Sequence, residues 1–515
     1  MSRLRYALAG GMALSGLVVA ARAVLGPLAV PIAVHSPLNA EAGFGICLVL
    51  ALCLGATNSS ERRELSFRPA EVALVAGLIC FAVAAFWRAL GFYFLSDDFV
   101  LLKLAQGLRS GWLPLFTTGG GDGFFRPLGY VSLAATSTWA GLNPALWHAC
   151  GLALHAANCV LVFLVALRLI GSRRAAWFAA GLFAIHGTRP EAVVWVAGRF
   201  DLLATFFVLA GLLFFLRSGR WNLLAALVSM TLAMLSKESA YVFPFLVLLL
   251  AIPARRGVRA VVPFFALAAA LFVYRWSLFG GMGGYRADAL GFIAALKALT
   301  LRLWAALFFP INWSVEPGGF QALAIVVLIV SLGLLATSRA RRAQLLFAIG
   351  FVLVSALPPL FQLLIGPDLQ KSRLLYLPSI GFCLMLAVAV EGLAGRLRWI
   401  VPGAILCASL VMLEHNLDAW QYASGKAKSS CVTAAQCMGP SNKLTVGPFP
   451  GSLRGVYFLQ NGFRECVEIQ RNGAPVEVEF TAESPAARWD PATDELGCYL
   501  GGSNPTKRDS DWNLR

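Results

Sequence analysis

Apolar stretches of about twenty residues recur along most of this chain, and they restrict its possible folds more than any other feature. The hydrocarbon core of a bilayer is about 30 Å thick, so a helix that crosses it needs roughly 20 apolar residues. Such stretches recur from Arg5 to about His415. Because 58% of the 515 residues are hydrophobic and only 13% are charged, the sequence predicts an all-α polytopic membrane protein.

Short arginine clusters between these stretches predict the orientation of the helices. Basic residues in short loops favour the cytoplasmic side of a membrane. Placing every cluster there gives about thirteen crossings, a cytoplasmic N terminus and an outer C terminus. The predicted spans are residues 8–34, 42–56, 70–94, 146–170, 174–187, 200–216, 221–235, 240–253, 260–279, 320–337, 343–364, 378–395 and 399–415.

Two further apolar segments are interpreted as helices on the outer membrane surface. Counting residues 126–143 or 289–310 as crossings would move later arginine clusters to the outer side. The first apolar stretch lacks a convincing cleavage site, so we expect it to remain as an anchor. The net charge of +16 does not predict nucleic-acid binding, because the basic residues are scattered between helices instead of forming one stripe. Anionic membrane lipids are the partners that this distribution indicates.

The composition becomes polar from about Tyr422, which predicts a small C-terminal domain outside the membrane. The runs "GVYFLQ" and "VEVEF" alternate as strands do. Four cysteines there, on an oxidising face, suggest two disulfides of undetermined connectivity, with a zinc site as the weaker alternative. These cysteines are Cys431, Cys437, Cys466 and Cys498. The predicted domains are extra helices in 1–69, a main transmembrane domain in 70–421 and a β-rich domain in 422–515.

Many polar residues lie at the predicted outer ends of the helices. A simple membrane anchor would not need them there. The adjacent carboxylates Asp97 and Asp98 follow a long apolar stretch. The expected span centres are apolar, whereas a transporter or flippase would place polar groups near the midplane. This one-sided distribution favours binding or chemistry at the outer membrane surface. The other pocket candidates are Arg126, His186, Glu191, Arg199, Asp201, Lys237, Glu238, Arg373 and Tyr376.

Five of these outer stretches resemble one enzyme family. They are Asp97-Asp98, "FRPL", "HGTRPEAVVWVAGRFDLLA", "LSKESA" and "SRLLYLPSIGF". Together and in this order they resemble the membrane half of the GT-C fold glycosyltransferases, most closely the protein O-mannosyltransferases that carry tetratricopeptide repeats. The resemblance covers about residues 70–395. Gly187 follows His186 where those relatives have Pro, and the repeats are missing here.

The resemblance implies transfer of a sugar, with inversion, from a polyprenyl-phosphate carrier to an acceptor at the extracytoplasmic face. It implies that Asp97 or Asp98 is the general base. Arg199, Lys237 and Arg373 are then the candidates for binding the donor phosphate. The acceptor, whether protein, glycan or lipid, and the sugar stay open. No cofactor is predicted, although two adjacent aspartates could assist a divalent cation.

Less specific interpretations stay open beside this one. Asp97 and Asp98 could cap the following helix, His186 could be a structural hydrogen-bonding group, and Tyr376 could belong to an interfacial aromatic belt. Glu191, Arg199, Lys237 and Glu238 could form purely structural ion pairs. A transporter or flippase for a lipid-linked glycan, or a non-catalytic envelope assembly protein, are the alternative functions. The expected location is a bacterial inner membrane.

Overall fold

The computed structural model describes residues 69–498 apart from several gaps. The gaps are 109–110, 112, 119–122, 252–255, 282, 285–291, 316–324, 327, 330, 332, 334–341, 361–364, 439–441 and 484. The predicted spans 8–34 and 42–56, and most of 320–337, therefore lie outside the described residues.

The described chain is predominantly helical, which confirms the predicted fold class. Its helices of eight or more residues are α1 (Pro69–Ala85), α2 (Asp97–Gly107), α3 (Pro127–Ala140), α4 (Pro144–Ile170), α5 (Arg173–Ile185), α6 (Arg199–Phe215), α7 (Arg220–Ser236), α8 (Phe243–Ala251), α9 (Val262–Phe279), α10 (Arg342–Ser355), α11 (Pro378–Glu391), α12 (Leu397–Cys437) and α13 (Phe463–Gln470). Shorter helical segments are Trp87–Gly91, Pro114–Thr117, Pro190–Val193, Val196–Gly198, Glu238–Val242, Val258–Ala260, Phe292–Lys297, Ala298–Arg302, Leu303–Phe308 and Ser372–Leu375.

Four of the described helical stretches are long and apolar enough to cross a membrane. They are Pro144–Ile170, Val196–Phe215, Val262–Phe279 and Leu397–Cys437. Five shorter apolar helices accompany them: Glu71–Ala85, Arg220–Ser236, Glu238–Ala251, Arg342–Ser355 and Pro378–Glu391. The chain is thus a helical membrane protein, and the count of about thirteen crossings stays a prediction.

The hairpin between α4 and α5 shows how local sequence sets the helix ends. The Asn143 side chain accepts a hydrogen bond from the Ala145 N–H at 3.1 Å, and Pro144 supplies the fixed φ that suits a first helical position. Helix α4 ends at Gly171, whose φ of +79° favours glycine. Ser172 then caps α5 by accepting from the Ala175 N–H. The two helices consequently pack antiparallel in the centre of the bundle.

Ion pairs join the helices at the end of the bundle that contains this hairpin. Arg173 contacts Glu71 of α1 at 2.5 Å. Arg174 contacts Glu391 of α11 at 3.1 Å, and Ser172 donates to the same carboxylate. The sequence predicts this end to be cytoplasmic. The pocket candidates lie at the opposite ends of these helices.

The interior of α4 corrects one expectation, since it is not wholly apolar. His155 and Asn158 are completely buried there. The Tyr376 hydroxyl lies 2.7 Å from His155 Nδ1 and accepts a hydrogen bond from the Asn158 amide at 3.2 Å. The expectation of apolar span centres is therefore wrong for α4. Tyr376 is 0% exposed, so it is an internal hydrogen-bonding group and not a member of an interfacial aromatic belt.

Six short strands and α13 follow α12 and form a small C-terminal domain. The strands are β1 (Lys443–Val446), β2 (Ser452–Leu453), β3 (Val456–Tyr457), β4 (Glu477–Phe480), β5 (Ala487–Asp490) and β6 (Glu495–Cys498). One sheet has the order β4-β1-β5-β6, with β1 parallel to β4 and β5, and β5 antiparallel to β6; β2 and β3 form an antiparallel pair. Helix α12 runs without interruption through residue 422.

Both predicted disulfides are present, which confirms the prediction that the four cysteines are oxidised in pairs. Cys431 of α12 is bonded to Cys466 of α13. Cys437, the last residue of α12, is bonded to Cys498 at the end of β6. The connectivity that the sequence leaves open is thereby determined. Helix α13 and strand β6 of the C-terminal domain are therefore both covalently attached to α12.

Candidate active site

The two adjacent aspartates lie at the start of α2 and have different surroundings. Asp98 is 1% exposed. Its carboxylate accepts hydrogen bonds from the backbone N–H groups of Leu95 and Ala197, both at 3.1 Å. Burial raises the pKa of Asp98 well above its usual range, although these backbone donors oppose the shift. Asp98 therefore ties the start of α2 to the segment Val196–Gly198.

Asp97 is partly exposed, and its contact comes from the C-terminal domain. Its Oδ1 accepts a hydrogen bond from the Asn461 side-chain amide at 2.7 Å. Asp98 is enclosed by backbone donors, whereas the partly exposed Asp97 is the carboxylate of the pair that a bound hydroxyl could reach.

Residues 95–98, here called the acidic turn, have a constrained backbone. Ser96 has a φ of +44°, which is uncommon for a residue with a side chain. Its N–H donates to the Phe458 carbonyl at 2.8 Å, and the Trp195 indole N–H donates to the Leu95 carbonyl at 3.1 Å. Such conformations cost about 1–3 kcal/mol and are found where the surroundings enforce them, often at functional sites.

Trp195 connects the acidic turn with Arg373, which in turn lies near Glu191. The Arg373 guanidinium lies 4.4 Å from the centre of the Trp195 ring and 3.7 Å from the Glu191 carboxylate. Ser372 donates to the other Glu191 oxygen at 3.2 Å. Burial raises the pKa of Glu191 to about 6 in spite of the opposing Arg373 charge. The Arg373 side chain keeps 16% of its surface exposed.

A second group of charges surrounds the turn between α7 and α8. Arg126 forms a two-point ion pair with Glu238, and its guanidinium also lies 4.1 Å from the centre of the Phe124 ring. Lys237 contacts Asp201 at 2.6 Å, and both side chains are less than a tenth exposed. A narrow crevice lined by Asp201, Ser239 and Leu374 lies between this group and the residues next to Arg373.

Arg199 and His186 are buried and hydrogen-bonded within the protein. Arg199 is 2% exposed; it donates to Thr136 Oγ1 at 2.5 Å and to the Trp147 carbonyl at 3.2 Å. His186 lies between Thr188 Oγ1 and the Leu307 carbonyl, both at 2.9 Å. Together with Tyr376, these residues join helices and loops within the described part of the chain.

Sequence reasoning missed three residues of the site. Trp195 lies within the stretch "HGTRPEAVVWVAGRFDLLA", but the sequence alone does not indicate its role. Tyr457, which stacks on Trp195 with ring centres 5.2 Å apart, and Asn461 belong to the C-terminal domain. No sequence pattern distinguishes these two residues from others in polar loops. Within the described ranges, no three His, Cys, Asp or Glu side chains are grouped so that they could hold a metal ion.

Comparison with known proteins shows that the chain is similar to protein O-mannosyl-transferases. The chain is 31% identical over 186 residues to protein O-mannosyl-transferase Tmtc1 of Drosophila melanogaster, a match to 33% of this chain and 22% of that protein. Protein O-mannosyl-transferase TMTC3 of Mus musculus is 29% identical over 167 residues, 30% of this chain and 17% of that protein. The predicted resemblance is thus confirmed, and the chain spans about a fifth of the length of these relatives.

Comparisons with protein-family profiles and with solved structures give no match or a more distant one. No protein-family profile matches the chain. Two crystal structures of ArnT from Cupriavidus metallidurans, one in the apo state and one bound to undecaprenyl phosphate, have TM-scores of 0.43 and 0.44. Both are 13% identical and cover 79% of this chain, and the matches span 90% and 89% of those chains.

Proposed function

We propose that this protein is a membrane glycosyltransferase that moves a sugar from a polyprenyl-phosphate carrier to an acceptor at the extracytoplasmic face. The observation that carries the proposal is the acidic turn: Asp98 is anchored by backbone donors, Asp97 is left partly exposed, and Trp195, which donates to the turn, packs against the Arg373 guanidinium. The protein O-mannosyl-transferase relatives support the same class of reaction.

In the proposed reaction Asp97 is the general base. An acceptor hydroxyl attacks the anomeric carbon of the donor sugar and passes its proton to the Asp97 carboxylate. The bond between the anomeric carbon and the phosphate oxygen breaks, so polyprenyl phosphate leaves with the bonding electrons and the sugar is inverted. Asp98 supports the reaction by fixing the turn on which Asp97 lies.

The leaving phosphate needs positive neighbours more than a proton donor. Arg373 is the best candidate, because it is partly exposed and stacks on Trp195, which in turn donates to the acidic turn. Arg126, beside the crevice at Asp201 and Ser239, is the second candidate. Charge-assisted hydrogen bonds from either guanidinium would stabilise the charge that develops on the leaving group. The lipid tail would remain among the apolar helices.

A direct assay tests this proposal. Purified protein would be offered a panel of polyprenyl-phosphate sugars together with protein, glycan and lipid acceptors, and mass spectrometry would follow the products. We expect one donor to be consumed with release of polyprenyl phosphate. Consumption of none of them by stable protein would contradict the proposed function.

The proposed location is a bacterial inner membrane, with the acidic turn and the C-terminal domain on the outer side. Cysteines introduced at Asp122 and at the exposed Glu483 are expected to react with an impermeant thiol reagent added outside cells, and one at Ser218 is not. The exposed native Cys80 and Cys407 would be replaced by Ala in all variants. Labelling at Ser218 alone would invert the topology and place the acidic turn in the cytoplasm.

A further inference from the structure

The C-terminal domain lies directly against the acidic turn through residues 458–462, here called the tail loop. The Phe458 carbonyl accepts from the Ser96 N–H at 2.8 Å, and Asn461 donates to Asp97 at 2.7 Å. Gly462 packs so closely that a Cβ atom there would lie 2.5 Å from the Ser96 carbonyl oxygen. The tail loop therefore contacts both the backbone and the reactive carboxylate of the turn.

Helix α13 begins immediately after the tail loop and fixes its position. Cys466 of α13 is bonded to Cys431 of α12. Two polar contacts bring α13 to the membrane domain: Glu468 pairs with Lys103 of α2 at 2.7 Å, and Gln470 donates to the Tyr93 hydroxyl at 2.8 Å. The tail loop is consequently attached to α12 by a covalent bond five residues from Asn461.

We propose, on the basis of the proposed function, that Asn461 is a positioning residue for the general base and that the Cys431–Cys466 disulfide holds it in place. A hydrogen bond from Asn461 to Oδ1 fixes the rotation of the Asp97 carboxylate and leaves Oδ2 to accept the proton of the acceptor hydroxyl. The C-terminal domain is thus part of the active site.

This assignment explains why Asn suits position 461. An aspartate there would place two carboxylates in contact, and their repulsion would turn the Asp97 side chain away from its position. A lysine would bind the carboxylate as an ion pair and compete with the acceptor hydroxyl for it. The neutral amide orients the carboxylate without taking the proton or adding a charge.

The first test compares Asn461→Ala, Asn461→Gln and Asn461→Asp in the full-length protein. A hydrogen bond to a charged group contributes about 1.5–3 kcal/mol, so Asn461→Ala should lower the single-turnover rate about ten- to hundredfold. Donor affinity should stay unchanged. Asn461→Gln should restore part of the rate, whereas Asn461→Asp should not.

A double-variant comparison separates positioning from a general structural role. In an Asp97→Asn background, Asn461→Ala should lower the residual rate no further, because the contact acts only through the ionisable carboxylate. A wild-type rate for Asn461→Ala, while Asp97→Asn is inactive, would overturn this inference and leave the proposed function standing. Full activity of Asp97→Asn would overturn this inference and the general-base assignment.

The two disulfides provide a matched control. The double variant Cys431→Ala/Cys466→Ala should reproduce the lower rate and unchanged donor affinity of Asn461→Ala. The variant Cys437→Ala/Cys498→Ala removes a disulfide that is attached to β6 instead of α13, and it should keep the wild-type rate. If the first double variant keeps that rate as well, the disulfide has no part in positioning Asn461.

Discussion

Replacement of Asp97 by Asn is expected to lower the single-turnover rate of sugar transfer by about 10²–10⁴. Asn has nearly the same size and can still accept the hydrogen bond from Asn461 through its amide oxygen, but it cannot take up the acceptor proton. Donor affinity and thermal stability should therefore remain near wild type. The measurements are donor binding, single-turnover rate and unfolding temperature on the same purified protein.

Asp98→Asn is the matched control, since it makes the same chemical change one residue away. Both Asp98 oxygens accept backbone N–H groups, so an amide NH₂ would face one of these donors and leave it unsatisfied. An unsatisfied buried donor costs about 1–3 kcal/mol, which predicts a lower unfolding temperature for Asp98→Asn. An Asp97→Asn protein as active as wild type would contradict the general-base assignment and leave the pair as a helix cap.

The sequence predicts the helices well because a helix is marked by neighbouring residues along the chain. A run of apolar residues bounded by Arg, Asn, Gly or Ser is enough to define α4 and α5, including their caps. Pairing between helices depends on contacts that no local pattern encodes. Arg126 meets Glu238 across 112 residues, and Asn461 meets Asp97 across 364. The sequence predicts that Arg126, Glu238 and Asp97 share one level, but it does not predict which residues they contact.

Helix α12 shows a second limit of local patterns. The change to polar composition near Tyr422 predicts the start of an outer domain, yet the helix continues to Cys437. Its later turns are buried by the C-terminal domain and not by lipid: Cys431 is completely buried beside α13. A polar helix covered by strands and a disulfide has no hydropathy signal. Similarly, "VEVEF" forms β4, while "GVYFLQ" contributes only the two-residue strand β3.

The burial of Arg199 illustrates a third limit. The resemblance of its motif to those of the glycosyltransferases predicts Arg199 as a ligand of the donor phosphate, since a guanidinium suits phosphate geometry. In the structure its guanidinium lies 5.1 Å from the Trp147 ring centre and donates to Thr136. Whether a basic side chain can contact a ligand depends on how deeply it is buried in the bundle. That depth is set by the packing of the helices, which the local sequence does not specify.

Lys237→Met is the second change for which we expect a large effect, and it acts on stability. The variant would leave Asp201 with its charge buried and without its partner, because the two side chains are 5% and 7% exposed. Removal of one member of a buried ion pair typically costs about 3–5 kcal/mol. We therefore expect a markedly lower unfolding temperature, measured by thermal denaturation in detergent.

The double variant Lys237→Met/Asp201→Leu distinguishes structural pairing from donor binding by Lys237. Replacing both charges with apolar side chains removes the uncompensated carboxylate, so most of the lost stability should return. If Lys237 serves only to neutralise Asp201, this stable protein should bind the donor with wild-type affinity. If Lys237 also contacts the donor phosphate, affinity should stay low by about 1.5–3 kcal/mol. A single Lys237→Met variant as stable as wild type would contradict the structural role of the pair.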